Sequence, residues 1–107
     1  MPRRIEPTAA ALADFDDIFE QLARRRTPAK AAEVLRKLDH AIQYLADQPQ
    51  LGRPYPQRGR ALRVLTHGEY LVFYEDLPGV IVLVRVLNGR RNIPDLLTDL
   101  GEGEGSS

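Results

Sequence analysis

Val80-Ile81-Val82-Leu83-Val84-Arg85-Val86-Leu87 follows a Pro78-Gly79 turn and is apolar at every position but one. Successive side chains of a strand point to opposite faces, so a run without alternation wants burial on both. That demand restricts the fold more than any other stretch. A small sheet built around this strand needs a cover on each face. Two long helices upstream can supply one. The other must come from a short C-terminal segment or from another chain, because an uncovered apolar face of several hundred Å² is a liability in a free monomer. A protein partner is therefore expected on physical grounds.

With 107 residues the chain holds one domain. Its hydrophobic content of 43% and charged content of 28% are ordinary for a globular protein. The absence of cysteine excludes disulfides, thiolate metal sites and a cysteine nucleophile. Neither the N-terminus nor any later segment has the apolar length of a signal peptide or a membrane span, so a cytoplasmic location without membrane association is expected.

The two helices are marked by their caps. Thr8 follows Pro7 as an N-cap, and Leu12, Phe15, Ile18, Phe19 and Leu22 then recur at helical spacing. The acids of this helix come early and Arg24-Arg25-Arg26 end it, as the helix dipole favours. Thr27-Pro28 restarts the chain as N-cap and first helical residue, with Ala31, Val34, Leu35, Leu38, Ala41, Ile42 and Leu45 on one face. So short a connection predicts an antiparallel hairpin. Residues 3–6 form a possible first strand, and Pro49, Gly52, Pro54 and Pro56 mark a loop. Three strands are predicted at about 61–66, 69–75 and 80–87, joined by short turns and hence antiparallel. A last short helix is expected over 94–100 and a disordered tail over 101–107, giving a single domain over 1–100. The fold class is α+β: a helical hairpin on a small twisted antiparallel sheet of three to four strands.

Charge is balanced overall but not locally. Asp14, Asp16, Asp17 and Glu20 cluster in the first helix, while residues 52–93 carry seven arginines against three acids. Arginine outnumbers lysine thirteen to two, and no lysine follows Lys37. The planar guanidinium forms bidentate contacts with carboxylates and phosphates, so this bias suits a recognition surface, although a solvated face reads equally well. Arg85, inside an apolar run, needs a paired acid: Glu69, Glu75 or one on the first helix. Arg90-Arg91, at the strand exit beside Gly89, favour an exposed binding role. Tyr70 and Tyr74 share a strand face with Val72 and read as core rather than as a base-stacking platform. His40 and His67 are far apart in sequence, with no acid or serine placed for a triad, and read as surface or turn residues. There is no metal-ligand spacing, calcium loop or glycine-rich phosphate loop, so no metal or cofactor is expected.

Several of these residues, in order, resemble the ParE branch of the RelE/ParE toxin superfamily over about residues 5–97. The family's Ala-x-x-Asp-(Leu/Phe)-x-x-Ile helix pattern matches at Ala11, Asp14, Phe15 and Ile18, and its Pro-x-x-Gly-Arg loop at Pro49, Gly52 and Arg53. Arg63, the Tyr70/Tyr74 strand, and Arg85 with Arg90-Arg91 complete the set. The resemblance implies the toxin half of a bacterial type II toxin–antitoxin pair, with a ParD-like antitoxin laid across the helical hairpin and part of the sheet. Arg24, Arg25, Arg26, Leu22, Leu35 and Leu38 are the antitoxin-binding candidates. The implied target is DNA gyrase, poisoned by binding, with Asn88, Arg90, Arg91, Asn92, Arg63 and Arg85 as target-binding candidates and no sequence-specific DNA recognition. Asn88 and Asn92 stand where relatives often carry His and Asp, which leaves those positions only hydrogen bonding. The ribonuclease branch, the RelE-like toxins, typically has an Arg after the first strand tyrosine, lysines before the strands and a Tyr beyond the last arginines. Here Leu71 follows Tyr70, and 93–97 contains no tyrosine. Cleaving RNA requires activation of the 2′-hydroxyl and protonation of the leaving oxygen. No residue presents itself for either task, so a non-enzymatic toxin is expected, ahead of a ribosome-dependent endoribonuclease or an inactive antitoxin-bound scaffold.

Overall fold

The computed structural model describes residues 2–56 and 61–90. The expected 94–100 helix and 101–107 tail lie outside them. Strand β1 (Arg4–Pro7) leads into helices α1 (Ala9–Arg25) and α2 (Pro28–Tyr44), then β2 (Arg53–Pro54), β3 (Leu62–His67), β4 (Tyr70–Leu77) and β5 (Val80–Asn88). The sheet has five strands in the order β1-β5-β4-β3-β2, more than the three to four expected, and it is mixed. β1 pairs with β5 in parallel, from Arg4 opposite Val80 to Pro7 opposite Leu83, whereas the remaining pairs are antiparallel. The additional strand is β2, two residues within the stretch expected to be a loop, whereas β1 coincides with the possible strand over 3–6 and only its parallel pairing 76 positions away leaves no local sequence signal. Pro7 and Pro54 sit on the outer strands β1 and β2, where a missing N–H is tolerated.

β5 thus lies between β1 and β4, and its apolar run is explained by burial on both faces. A register shift places Phe73 opposite Arg85 but Tyr74 opposite Leu83, leaving Val84 as an extra residue. The bulge switches the alternation. Ile81, Leu83 and Val86 join the core beneath the helices, while Val84 and Leu87 pack with Leu62, Val64 and Phe73 on the far side. Tyr55 meets Phe73 edge-on there, with ring centroids 5.2 Å apart. All five of those far-side residues are buried within this chain, so the expected bare sheet face is not what calls for a partner.

Both predicted caps form. Thr8 accepts the Ala11 N–H at 3.0 Å and Thr27 the Lys30 N–H at 3.0 Å, with Pro28 opening α2. Arg24 and Arg25 occupy the last turn of α1, whose first turn holds no acid, so only the basic end complements the dipole. The inner face of α1 is Ala11, Asp14, Ile18 and Leu22. Leu12 and Phe19, expected on the apolar stripe, are 53% and 37% exposed instead. The stripe is rotated because Asp14 turns inward. Tyr70, Val72 and Tyr74 belong to the same core as the helices, as expected.

Candidate functional site

The interior polar contacts account for most of the sequence features that look functional. α1 runs beside β5 beyond the point where β1 stops. Thr8 N–H donates to Leu83 O at 2.9 Å and the Thr8 hydroxyl to Val84 O at 2.9 Å. Asp14 then takes over the strand edge. Its Oδ2 accepts the Val86 N–H at 2.9 Å and Arg85 Nε at 2.8 Å, and its Oδ1 accepts Arg85 Nη2 at 2.8 Å. This is a bidentate, charge-assisted clasp on a carboxylate only 5% exposed. The acid on the first helix is therefore a partner of Arg85.

The Pro-x-x-Gly-Arg loop is held by a second polar knot. The Tyr74 hydroxyl accepts the Gly52 N–H at 2.8 Å and donates to Pro49 O at 2.8 Å. Arg63 Nη1 donates to Gly52 O at 2.7 Å. A Cβ on Gly52 would lie 2.7 Å from the Tyr74 hydroxyl and 2.8 Å from Val64 O, so the position admits only glycine without movement. Burial pushes the Tyr74 phenol above its ordinary 10.0, against the Gly52 bond and the Arg63 charge, which favour ionisation. Arg53, next in the motif, is exposed on β2.

The third arrangement is at the end of β5. Asn88 pairs with Tyr70 across the ladder. Its Nδ2 donates to Glu69 Oε1 at 2.8 Å, and its Oδ1 accepts the Arg90 N–H at 2.9 Å. Gly89 N–H donates to Glu69 O at 2.8 Å. The turn carries Arg90 into solvent, and its side chain has no ion-pair partner among the described residues. The C-terminal end of α1 is close by: the Arg25 cation acts on Tyr70, whose phenol burial nevertheless raises above 10.0. Arg24, Arg25 and Arg26 at the end of α1 are exposed, as is Arg90.

The candidate residues therefore separate by environment. Arg63 and Arg85 spend donors on the fold, Asn88 shapes a turn, and Arg90 is free to meet another molecule. Arg91 and Asn92 lie outside the described residues. Among the antitoxin candidates, Arg24, Arg25 and Arg26 are exposed, but Leu22 and Leu38 are 4% and 0% exposed and Leu35 is half-buried. Those leucines face the sheet because they complete the inner stripe, and the hairpin's accessible apolar side chains are Leu12, Phe19 and Tyr44. Glu69 was not legible as a site residue, since its role depends on a partner across a hairpin. His40 is exposed on α2 and His67 is half-buried at the end of β3. Among the described residues no group of three potential ligands could hold a metal ion, and no helix is long and apolar enough to cross a membrane.

The helical hairpin on a mixed sheet is a fold shared with solved chains of toxin–antitoxin systems. A chain of the chromosomal ParDE system from P. aeruginosa superposes with a TM-score of 0.70 at 19% identity, covering 80% of this chain and 95% of that one. A chain of the RelBE2 toxin–antitoxin complex from Mycobacterium tuberculosis gives 0.57 at 21% identity, over 82% of this chain and 99% of that one. A family profile described as "ParE toxin of type II toxin-antitoxin system, parDE" matches residues 5–93. Toxin ParE1 of Mycobacterium tuberculosis is 32% identical over 94 residues, 87% of this chain and 96% of that protein. Toxin ParE1 of Caulobacter vibrioides is 34% identical over 83 residues, 77% of this chain and 84% of that protein. The chain belongs to the ParE toxin family of type II toxin–antitoxin systems.

Proposed function

We propose that this toxin acts by binding DNA gyrase and trapping it on broken DNA, without chemistry of its own, and that a ParD-like antitoxin neutralises it. The observation that carries the reading is the contrast among its arginines. Arg85 and Arg63 are tied into the fold, whereas Arg90 leaves the sheet on a pinned turn with its guanidinium exposed. A rigidly presented arginine is a typical interface anchor, and its truncation costs about 2 kcal/mol or more. Support for a binding mode also comes from Leu71, which stands after Tyr70 where RelE-like ribonucleases typically carry an arginine.

Antitoxin recognition is assigned to the outer side of the hairpin. Leu12, Phe19 and Tyr44 supply exposed apolar area, and Arg24-Arg25-Arg26 supply charge for acidic antitoxin residues. A lasting complex of this kind buries above roughly 2,000 Å² in total. Inducing the chain alone in bacteria tests the target. DNA damage preceding mRNA loss, with supercoiling inhibited in a purified gyrase assay, is the expected result. Codon-positioned mRNA cleavage on translating ribosomes, abolished by Arg90→Ala, would move the chain to the ribonuclease reading.

A further inference from the structure

We propose that Glu69 and Asn88 are positioning residues that preset the direction in which Arg90 is offered to the target. The inference rests on reading Arg90 as a target contact, and it concerns how that contact is prepared. Asn88 ends β5 opposite Tyr70, so its main chain is anchored by the ladder. Its side chain then bridges two neighbours: Nδ2 to Glu69 Oε1 at 2.8 Å, and Oδ1 to the Arg90 N–H at 2.9 Å. An asparagine that accepts the N–H two residues on fixes a turn where a strand would otherwise continue or fray. Glu69 holds the same turn from its main chain, accepting Gly89 N–H at 2.8 Å. Glu69 itself belongs to the β3–β4 turn, whose Gly68 has φ +60. Two bonds therefore tie the exit of β5 to the tip of the neighbouring hairpin, and the third closes the turn on itself.

These bonds are exposed, so each is weak alone, and the fold does not depend on them as it does on Asp14 and Arg85. Their effect is on the exit's conformational freedom. If unlatching leaves the binding-competent exit populated only a tenth of the time, apparent target affinity falls about tenfold, since affinity scales with the competent fraction.

The test exchanges donor and acceptor. Asn88→Asp keeps an acceptor for the Arg90 N–H but sets a carboxylate against Glu69. The double variant Glu69→Gln/Asn88→Asp restores a donor–acceptor pair with the same net charge as the wild type. Three quantities are measured on each purified toxin: amide hydrogen exchange at Gly89 and Arg90, gyrase affinity, and antitoxin affinity with thermal stability. Asn88→Asp is expected to speed exchange at both amides and weaken gyrase binding about tenfold, with antitoxin binding and stability retained. The double variant is expected to recover both losses. Unchanged exchange in Asn88→Asp would overturn the latch, as would a double variant no better than the single one. Faster exchange with unchanged gyrase affinity would overturn the positioning role. An Arg90→Ala control that binds gyrase like the wild type would instead remove the surface reading itself.

Discussion

Replacing Arg85 with alanine isolates the interaction on which the β5 edge depends. Asp14 is 5% exposed and accepts three hydrogen bonds, two of them from Arg85 at 2.8 Å and one from the Val86 N–H at 2.9 Å. The Arg85 and Asp14 side chains retain 19% and 7% of their accessibility, so solvent screens the pair little. Arg85→Ala leaves a buried carboxylate with only the Val86 N–H to stabilise its charge. Breaking a buried ion pair by removing one member costs about 3–5 kcal/mol, most of it from the uncompensated charge. At about 4–8 °C per kcal/mol for a domain of this size, the midpoint falls by more than about 12 °C. Urea unfolding with an unchanged m-value measures the loss, and the Asp14→Ala/Arg85→Ala double variant measures the coupling. Asp14→Asn keeps the shape and an acceptor but not the charge, and should fall between. A loss below about 1 kcal/mol, the scale of an exposed surface pair, would refute the reasoning.

Arg90→Ala should leave stability within about 0.5 kcal/mol while weakening gyrase binding by about 2 kcal/mol, measured by unfolding and by titration. Gly52→Ala should cost about 1–3 kcal/mol, because its Cβ meets both the Tyr74 hydroxyl and the Val64 carbonyl, and the latter cannot swing away. Tyr74→Phe should cost about 1–3 kcal/mol by leaving the buried Gly52 N–H without its acceptor. Burial raises the Tyr74 and Tyr70 phenols above 10.0, so the stability linked to their neutral form is complete below that pH. It is lost as the pH rises through the raised folded values, and an alkaline tyrosinate titration run beside unfolding should show both events together. Phe19→Asp should weaken the antitoxin complex about tenfold or more with little effect on folding, since the side chain is already 37% exposed.

Local chemistry was readable in the sequence and distant pairing was not. Thr8 and Thr27-Pro28 announce their helices because a cap is a contact over three residues. The β3, β4 and β5 strands are close to their expected limits because short turns separate them. β1 pairs with a strand at the other end of the chain, and no nearby residue records that. The inner stripe of α1 keeps the expected Ile18 and Leu22 but departs from expectation at Leu12 and Phe19, for a different reason. Leu12 and Phe19 are more apolar than Ala11 and Asp14, so periodicity weighted by hydrophobicity turns the helix the wrong way. The correct rotation depends on Arg85 reaching Asp14. The need of Arg85 for an acid was legible, but which of several acids supplies it is a matter of topology.

Arg85 and Arg90 stand five residues apart, and their different roles follow from where cover for β5 ends. β1 pairs with the strand only as far as Leu83, and α1 continues along the edge through Thr8 and Asp14. At that depth the guanidinium of Arg85 is enclosed, and only a carboxylate makes its burial tolerable. Past Val86 the helix makes no further hydrogen bond to the strand among the described residues, and cover passes to the β3–β4 turn, where Glu69 supplies a main-chain and a side-chain acceptor. Those acceptors hold Gly89 and Asn88, while the Arg90 side chain has no ion-pair partner among the described residues. An acid inside the hairpin fixes the fold, while an acid at the hairpin tip fixes only the turn. The cation that remains exposed is the one on the fixed turn, which is the physical condition for a binding anchor that loses little freedom when its partner arrives.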